Sequence, residues 1–214
     1  MKQTSVDLAS IEVVSWDVDG TLYSIERLKR RLFVLLLRDI ACGRGRAAWA
    51  ELVQLQRYRS SIEAARTRGG TLATILDKTE RAALLRLERD WYGRGLRRVG
   101  LRRGTTELLE FFAGRKIPQV VFSDYQADYK LDALGLESRF TSTYAGECLG
   151  YLKPHPAGFE RIAADCGISP GALLHIGDRA ATDAAGARAA GCQSLIIGRD
   201  FRSFATLLRT FQSP

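Results

Sequence analysis

The chain has 214 residues, of which 46% are hydrophobic and 26% charged, a composition typical of a soluble globular protein long enough to bury a core. Its formal net charge of +8 favours an anionic partner, although an arginine-rich solvated surface would have the same effect. The longest apolar run, residues 32–37, is too short to span a bilayer, and the cysteines lack metal-binding spacing. The first twelve residues lack the apolar core of a signal peptide. We therefore expect a cytoplasmic protein with free thiols and no membrane partner.

Short apolar segments rich in valine, isoleucine and aromatic residues predict strands. They are residues 11–16, 118–122, 140–144, 173–176 and 194–197. Helical patterns follow at residues 105–113, 126–134, 157–166 and 182–190, and the last three stop at a glycine. Alternating strands and helices predict an α/β fold with a parallel sheet covered on both faces.

The segment between the first and second predicted strands has a different pattern. Amphipathic spacing predicts helices over residues 25–40, 47–66, 72–76 and 79–91. This segment is too long to be a simple crossover connection. We therefore predict a helical domain, residues 23–97, inserted into a catalytic core made of residues 1–22 and 98–214.

Polar and charged residues lie at the predicted strand ends or in the loops beside them, where open parallel sheets bind ligands. They are Asp17, Asp19, Ser123, Asp124, Lys153, Asp178 and Asp183. Each alone has a structural explanation, such as a helix cap or a surface charge. We also favour a structural role for the two histidines, because His155 lies between two prolines and His175 lies in a predicted buried strand.

Taken together, these side chains have the chemistry that metal-assisted phosphoryl transfer requires. Mg²⁺ prefers carboxylate oxygens, and a lysine with hydrogen-bond donors balances the charge on the phosphoryl oxygens. A carboxylate nucleophile divides the reaction into two steps through an aspartyl phosphate. The dispersed cysteines and two histidines offer no competing metal site, so we predict Mg²⁺ as the cofactor.

The sequence resembles the haloacid dehalogenase-like hydrolase superfamily in four motifs. The segment Asp17-Val-Asp19-Gly20-Thr21 resembles the first motif, Ser123 the second and Lys153-Pro154 the third. The fourth is similar to the segment from Gly177 to Gly191, which contains Asp178 and Asp183. The resemblance implies a Rossmann-like core with a helical cap inserted after the first motif.

The resemblance also implies roles for individual residues. Asp17 matches the nucleophile and Asp19 the acid/base, whose side chain is expected to be free for proton transfer. Ser123 matches the hydroxyl that holds the phosphoryl group, and Lys153 the lysine that steadies nucleophile and phosphate. The implied metal ligands are Asp17, Asp178, the backbone carbonyl of Asp19 and, through a water molecule, Asp183.

Three further substrate-binding residues are predicted with less support from the motifs. Gly20 belongs to the first motif, and Asp124 stands where an uncharged residue such as asparagine is more usual, which leaves its role open. In the insert, the loop of residues 66–71 contains two glycines that allow close approach to a ligand. There we expect Arg68 to meet an anionic group, with an ordinary surface turn as the alternative.

We predict a Mg²⁺-dependent phosphatase that hydrolyses a small phosphorylated metabolite through an aspartyl phosphate on Asp17. A phosphomutase with the same core and a non-catalytic phosphate-binding protein are the alternatives. The true dehalogenases of the superfamily lack an aspartate matching Asp19, which argues against carbon–halogen cleavage. The basic segments 27–31 and 97–103 lack interleaved aromatic residues, which argues against a nucleic-acid partner. The sequence leaves the oligomeric state open.

Overall fold

A parallel sheet forms the centre of the computed structural model, which describes residues 6–66 and 78–213. Its strand order is β3-β2-β1-β4-β5, and every neighbouring pair is parallel. The strands are β1 Val13–Trp16, β2 Gln119–Ser123, β3 Ser142–Ala145, β4 Leu173–Gly177 and β5 Gln193–Ile196. The predicted α/β fold with a Rossmann-like parallel sheet is confirmed.

Helices surround the sheet and form the segment between β1 and β2. They are α1 Ile25–Ala41, α2 Gly45–Arg66, α3 Lys78–Glu88, α4 Arg94–Val99, α5 Thr105–Gly114, α6 Asp128–Leu134, α7 Gly146–Leu149, α8 Ala157–Cys166, α9 Ala185–Ala189 and α10 Phe204–Gln212. Wider π-helical turns occupy Arg89–Gly93 and Ala180–Ala184. None of the helices in the described ranges is long and apolar enough to cross a membrane.

Alternation along the strands divides the core between the two faces of the sheet. Val14 and Trp16 belong to the larger cluster, to which α5 and α10 contribute. Val13 and Phe122 belong to a second cluster, to which α8 and α9 contribute. Neighbouring residues of a strand point to opposite faces of the sheet. All four residues of β1 are buried, so both of its faces are covered, which explains why its sequence is almost continuously apolar.

The helices between β1 and β2 pack around Leu55, Leu84 and Trp91, and this cluster continues into the core through Tyr125 and Leu152. The predicted helix over residues 79–91 corresponds to α3 and the π-helical turn after it. The predicted helix over residues 72–76 lies outside the described residues. The division into domains at residues 23–97 stays a prediction.

Candidate active site

The three central strands end at the same edge of the sheet and direct the motif residues to one point. Trp16, the last residue of β1, is paired with Val121 and Ile176 on its two neighbours. The chain then enters the loops that contain Asp17 and Asp178. The described residues around the resulting cavity, of about 50 Å³, are Asp17, Asp19, Glu63, Ser123, Asp124, Tyr125, Lys153, Asp178, Arg179, Thr182 and Asp183.

Every predicted site residue of the core except Gly20 therefore lines this cavity, and Gly20 is adjacent to it. Glu63 comes from α2, so the helices between β1 and β2 contribute to the wall. Arg68 lies outside the described residues, and its predicted role stays a prediction.

Lys153 is the central cation of the site. Its buried Nζ donates hydrogen bonds to Asp17 Oδ1 at 2.7 Å, to Asp183 Oδ1 at 2.6 Å and to the backbone oxygen of Phe122 at 3.2 Å. Burial alone would lower the pKa of Lys153, but the carboxylates of Asp17, Asp183 and Asp124 raise it above its usual range. The side chain is therefore a charged ammonium that is fixed against Asp17.

Asp17, Asp178 and Asp183 form an acidic cluster in which one oxygen of each lies within 4.8 Å of the others. Burial raises the pKa of Asp17 to about 7; Lys153 opposes this shift, and the negative charges of Asp183 and Asp178 add to it. Burial also raises the pKa of Asp178 to about 6, again with a contribution from Asp183. Like charges packed this closely are unfavourable without a cation beyond Lys153.

The cluster fits a hard divalent cation. Asp178 Oδ1 is buried and accepts no hydrogen bond from any described residue. A buried carboxylate oxygen without a donor is costly, and a metal ion would satisfy it. Magnesium would find carboxylate oxygens of the kind it prefers at this point.

The loop between β1 and α1 contains the first motif and is called the first-motif loop. Glycine is required at position 20, where this loop passes Asp178. Its φ of +95° lies in the left-handed region, and a Cβ there would stand 2.1 Å from Asp178 Oδ2. Arg102 fastens the loop, because its guanidinium donates to the Gly20 carbonyl oxygen at 3.0 and 2.7 Å. The close approach of Gly20 and Asp178 is thus built into the backbone.

His175 is buried, as expected for a structural histidine, and it also contacts the acidic cluster. Its Nδ1 lies 2.8 Å from Ser15 Oγ and its Nε2 lies 3.3 Å from Asp183 Oδ1. The backbone N–H of Arg179 donates to Asp183 Oδ2 at 2.9 Å. Burial would raise the pKa of Asp183, but Lys153 and His175 lower it, so this carboxylate is ionised and held in place.

Asp124 links the second and third motifs. Its Oδ1 accepts a hydrogen bond from the backbone N–H of Lys153 at 2.8 Å. The hydroxyl of Ser123 accepts one from the backbone N–H of Tyr125 at 3.3 Å and stands in the cavity wall. The unusual acid at position 124 therefore anchors the backbone of Lys153.

The side chain of Asp19, which is expected to be free for proton transfer, is held by several neighbours in the structure. Lys130 Nζ donates to both of its carboxylate oxygens, at 2.8 and 2.7 Å, and the Tyr23 hydroxyl donates to Oδ1. Arg59 of α2 lies 3.9 Å from Oδ2, with its guanidinium against the ring of Tyr92. Burial would raise the pKa of Asp19, but Lys130 and Arg59 lower it to about 2.

Sequence reasoning did not single out Lys130, Arg59 or Tyr23 as site residues. Lys130 and Arg59 lie within helical patterns in which basic residues usually face solvent. For Tyr23 a signal was present, because it stands four residues after Asp19 in the first-motif loop. Lys130 and Arg59 have no such local signal.

Comparison with known proteins agrees with this geometry. A family model of haloacid dehalogenase-like hydrolases matches residues 11–191. The chain belongs to this family. The match covers all four motifs, so the hydrolase assignment does not depend on the fold alone. No significant match was found among curated protein sequences.

Solved structures similar to this hydrolase share its fold. A predicted phosphoglycolate phosphatase from Haemophilus somnus 129pt is 22% identical, with 96% of this chain and 100% of the other covered and a TM-score of 0.63. YfnB from Bacillus subtilis, described as an HAD-hydrolase and bound to magnesium, is 18% identical, with coverages of 95% and 99% and a TM-score of 0.65. A 2-haloacid dehalogenase from Pseudomonas syringae is 21% identical, with coverages of 94% and 98% and a TM-score of 0.58.

Proposed function

We propose that this hydrolase is a Mg²⁺-dependent phosphatase that acts on a small phosphomonoester through an aspartyl phosphate on Asp17. One observation carries the proposal: the Asp17 carboxylate lines a small cavity between the ammonium of Lys153 and the acids Asp178 and Asp183. A nucleophilic carboxylate, a fixed cation and a candidate metal site are thereby brought to one point.

Magnesium would be held by the carboxylates of Asp17 and Asp178 and by the backbone oxygen of Asp19, with Asp183 in support through a water molecule. The ion, when bound, would balance the charge of the phosphoryl oxygens and favour the ionised form of Asp17. The hydrogen bond from Thr21 Oγ1 to Asp17 Oδ2, at 2.7 Å, fixes the direction in which the nucleophile faces.

In the first step, Asp17 forms a bond to phosphorus while the bond from phosphorus to the leaving oxygen breaks. Lys153 and the Ser123 hydroxyl hold the phosphoryl oxygens, and the leaving oxygen takes up a proton from the Asp19 carboxyl group, which is left ionised. In the second step, water attacks the acyl phosphate and gives a proton to Asp19, which releases Asp17 and inorganic phosphate. The ionised state of Asp19 in the structure suits this second role.

The size of the cavity supports a small substrate. Its volume is only about 50 Å³, and Glu63 of α2 forms part of its wall. A phosphorylated metabolite fits this arrangement better than a nucleic acid or a phosphoprotein. Arg68 remains a proposed contact to an anionic group of that metabolite, and the helical insert a proposed cap. A cytoplasmic location is likewise proposed and agrees with four cysteines that form no disulfide.

The test is phosphate release from a panel of phosphorylated metabolites, with chelator-treated protein before and after addition of Mg²⁺. We expect activity only with the metal, and no turnover and no phosphoenzyme for Asp17→Asn, because an amide cannot form the acyl phosphate. Arg161→Ala, an exposed change, is the control. Full activity of the chelated protein, or label retained by Asp17→Asn, would disprove the proposal. Conversion of a substrate to its isomer without phosphate release would identify a phosphomutase.

A further inference from the structure

Lys130 is a buried lysine outside the four motifs. It lies on α6, its side chain is 0% exposed, and its Nζ is 5.7 and 5.8 Å from the ring centres of Tyr125 and Tyr129. Burying an ammonium is costly unless an anion is paired with it. The anion here is Asp19, the acid/base of the proposed reaction.

The contacts of Asp19 are unequal. Lys130 engages both oxygens of the carboxylate, whereas Arg59 lies 3.9 Å away and Tyr23 reaches only one oxygen. The Asp19 side chain is 18% exposed, so a carboxylate without Lys130 would have room to turn into solvent. Lys130 is therefore the contact that selects one orientation of the carboxylate.

We propose that Lys130 is a positioning residue of the reaction, which holds the Asp19 carboxylate where it receives a proton from the attacking water. This inference rests on the proposed phosphatase function. A general base must stand within hydrogen-bond reach of the proton that it takes, and small displacements of a catalytic group slow the reaction strongly. Lys130 lies 111 residues from Asp19 in sequence, so a residue of α6 holds the side chain of a residue in the loop after β1.

A double-mutant cycle tests this role. Lys130→Met retains the length of the buried stem and removes the charge, and Lys130→Arg restores a charge. Each is combined with wild-type Asp19 and with Asp19→Asn, and Lys29→Met, on the exposed face of α1, is the control. Circular dichroism establishes that the variants are folded, and Lys130→Gln replaces Lys130→Met if the latter does not fold.

The readout is rapid acid quench with a labelled aryl phosphate, whose leaving group hardly needs a proton. We expect Lys130→Met to form phosphoenzyme within several-fold of the wild-type rate and to release the label roughly 10–100-fold more slowly, so that phosphoenzyme accumulates. Lys130→Arg should recover part of that loss. In the Asp19→Asn background, Lys130→Met should slow label release by less than about twofold, because both changes act through one carboxylate.

Two results would overturn the inference. An equal slowing by Lys130→Met in both backgrounds would mean that Lys130 acts on the fold and not through Asp19. Unchanged label release by a folded Lys130→Met protein would exclude any role in the reaction. A wild-type protein that forms no phosphoenzyme is a different failure, since it would overturn the proposed function and this role with it.

Discussion

At Gly20 a hydrogen atom in place of a side chain allows the first-motif loop to lie against Asp178. Since a Cβ would stand 2.1 Å from Asp178 Oδ2, we expect Gly20→Ala to displace that carboxylate and to weaken Mg²⁺ binding by at least about tenfold. The matched control is Gly43→Ala, where φ is also positive, +77°, but nothing lies within 4 Å of the added Cβ. Titration calorimetry with Mg²⁺ checks both variants. Equal affinities would show that the contact is not needed for the metal.

Asp124 illustrates how a hydrogen bond and a charge can be separated at one position. Asp124→Asn retains an oxygen that can accept the backbone N–H of Lys153, so we expect stability close to that of the wild type. Asp124→Ala leaves that buried N–H without this acceptor and should cost roughly 1–3 kcal/mol of the free energy of unfolding. Urea denaturation of the two variants measures the difference. Equal losses for both would mean that the charge, and not the hydrogen bond, is what matters.

Among the elements, α3 is joined to the core by a buried ionic network. Arg81 of α3 donates to Glu88 Oε2 at 3.2 Å and to Glu147 of α7, which also accepts from the Tyr58 hydroxyl of α2. The side chains of Glu88 and Glu147 are only 0% and 5% exposed. Arg81 therefore links α3 to α7 through a carboxylate that is also bonded to α2.

Removing that arginine should be costly. We expect Arg81→Met to destabilise the protein by about 3–5 kcal/mol, because it leaves two buried carboxylates without their shared cation. Arg161→Met is the control, since its pair with Asp165 is exposed and solvent screens the attraction between the two charges. Chemical denaturation followed by fluorescence compares the two. Similar losses would indicate that water replaces the cation at the junction.

Across the whole molecule, the features predicted from the sequence are those encoded locally. Each strand of the sheet has its own apolar segment, and parallel pairing brings the carboxyl ends of β1, β2 and β4 to one edge. Asp17, Ser123 and Asp178 lie at or just after these ends and were therefore predicted together. Lys130 and Arg59 were missed because their effect depends on how α6 and α2 are rotated against the core. Helical spacing does not reveal that rotation, because a lysine or arginine has both an apolar stem and a charged head and is therefore compatible with either face of a helix.

Charge in the site also affects the stability of the whole protein. Burial raises the pKa of Asp17 to about 7 and that of Asp178 to about 6, from a usual 3.8. Between the usual pKa of 3.8 and these raised values, the metal-free folded protein holds protons that the unfolded chain has released. Its free energy of unfolding should therefore fall as the pH rises from about 4 to about 7. The pKa values of Asp19 and Asp183 are lowered, and they add stability that is lost only as the pH falls below about 4.

Bound magnesium should offset the loss of stability that the ionised carboxylates of Asp17 and Asp178 cause above about pH 7. A bound cation favours the ionised carboxylates, and below the raised pKa values protons compete with it. We therefore expect excess Mg²⁺ to raise the melting temperature several-fold more at about pH 8 than at about pH 5, relative to chelator at equal ionic strength. Thermal unfolding of the wild type and of Asp178→Asn measures this, and the variant should lose most of the increase at the higher pH. A metal effect that is equal at both pH values would contradict the assignment of Asp17 and Asp178 as ligands, because no proton would then be displaced.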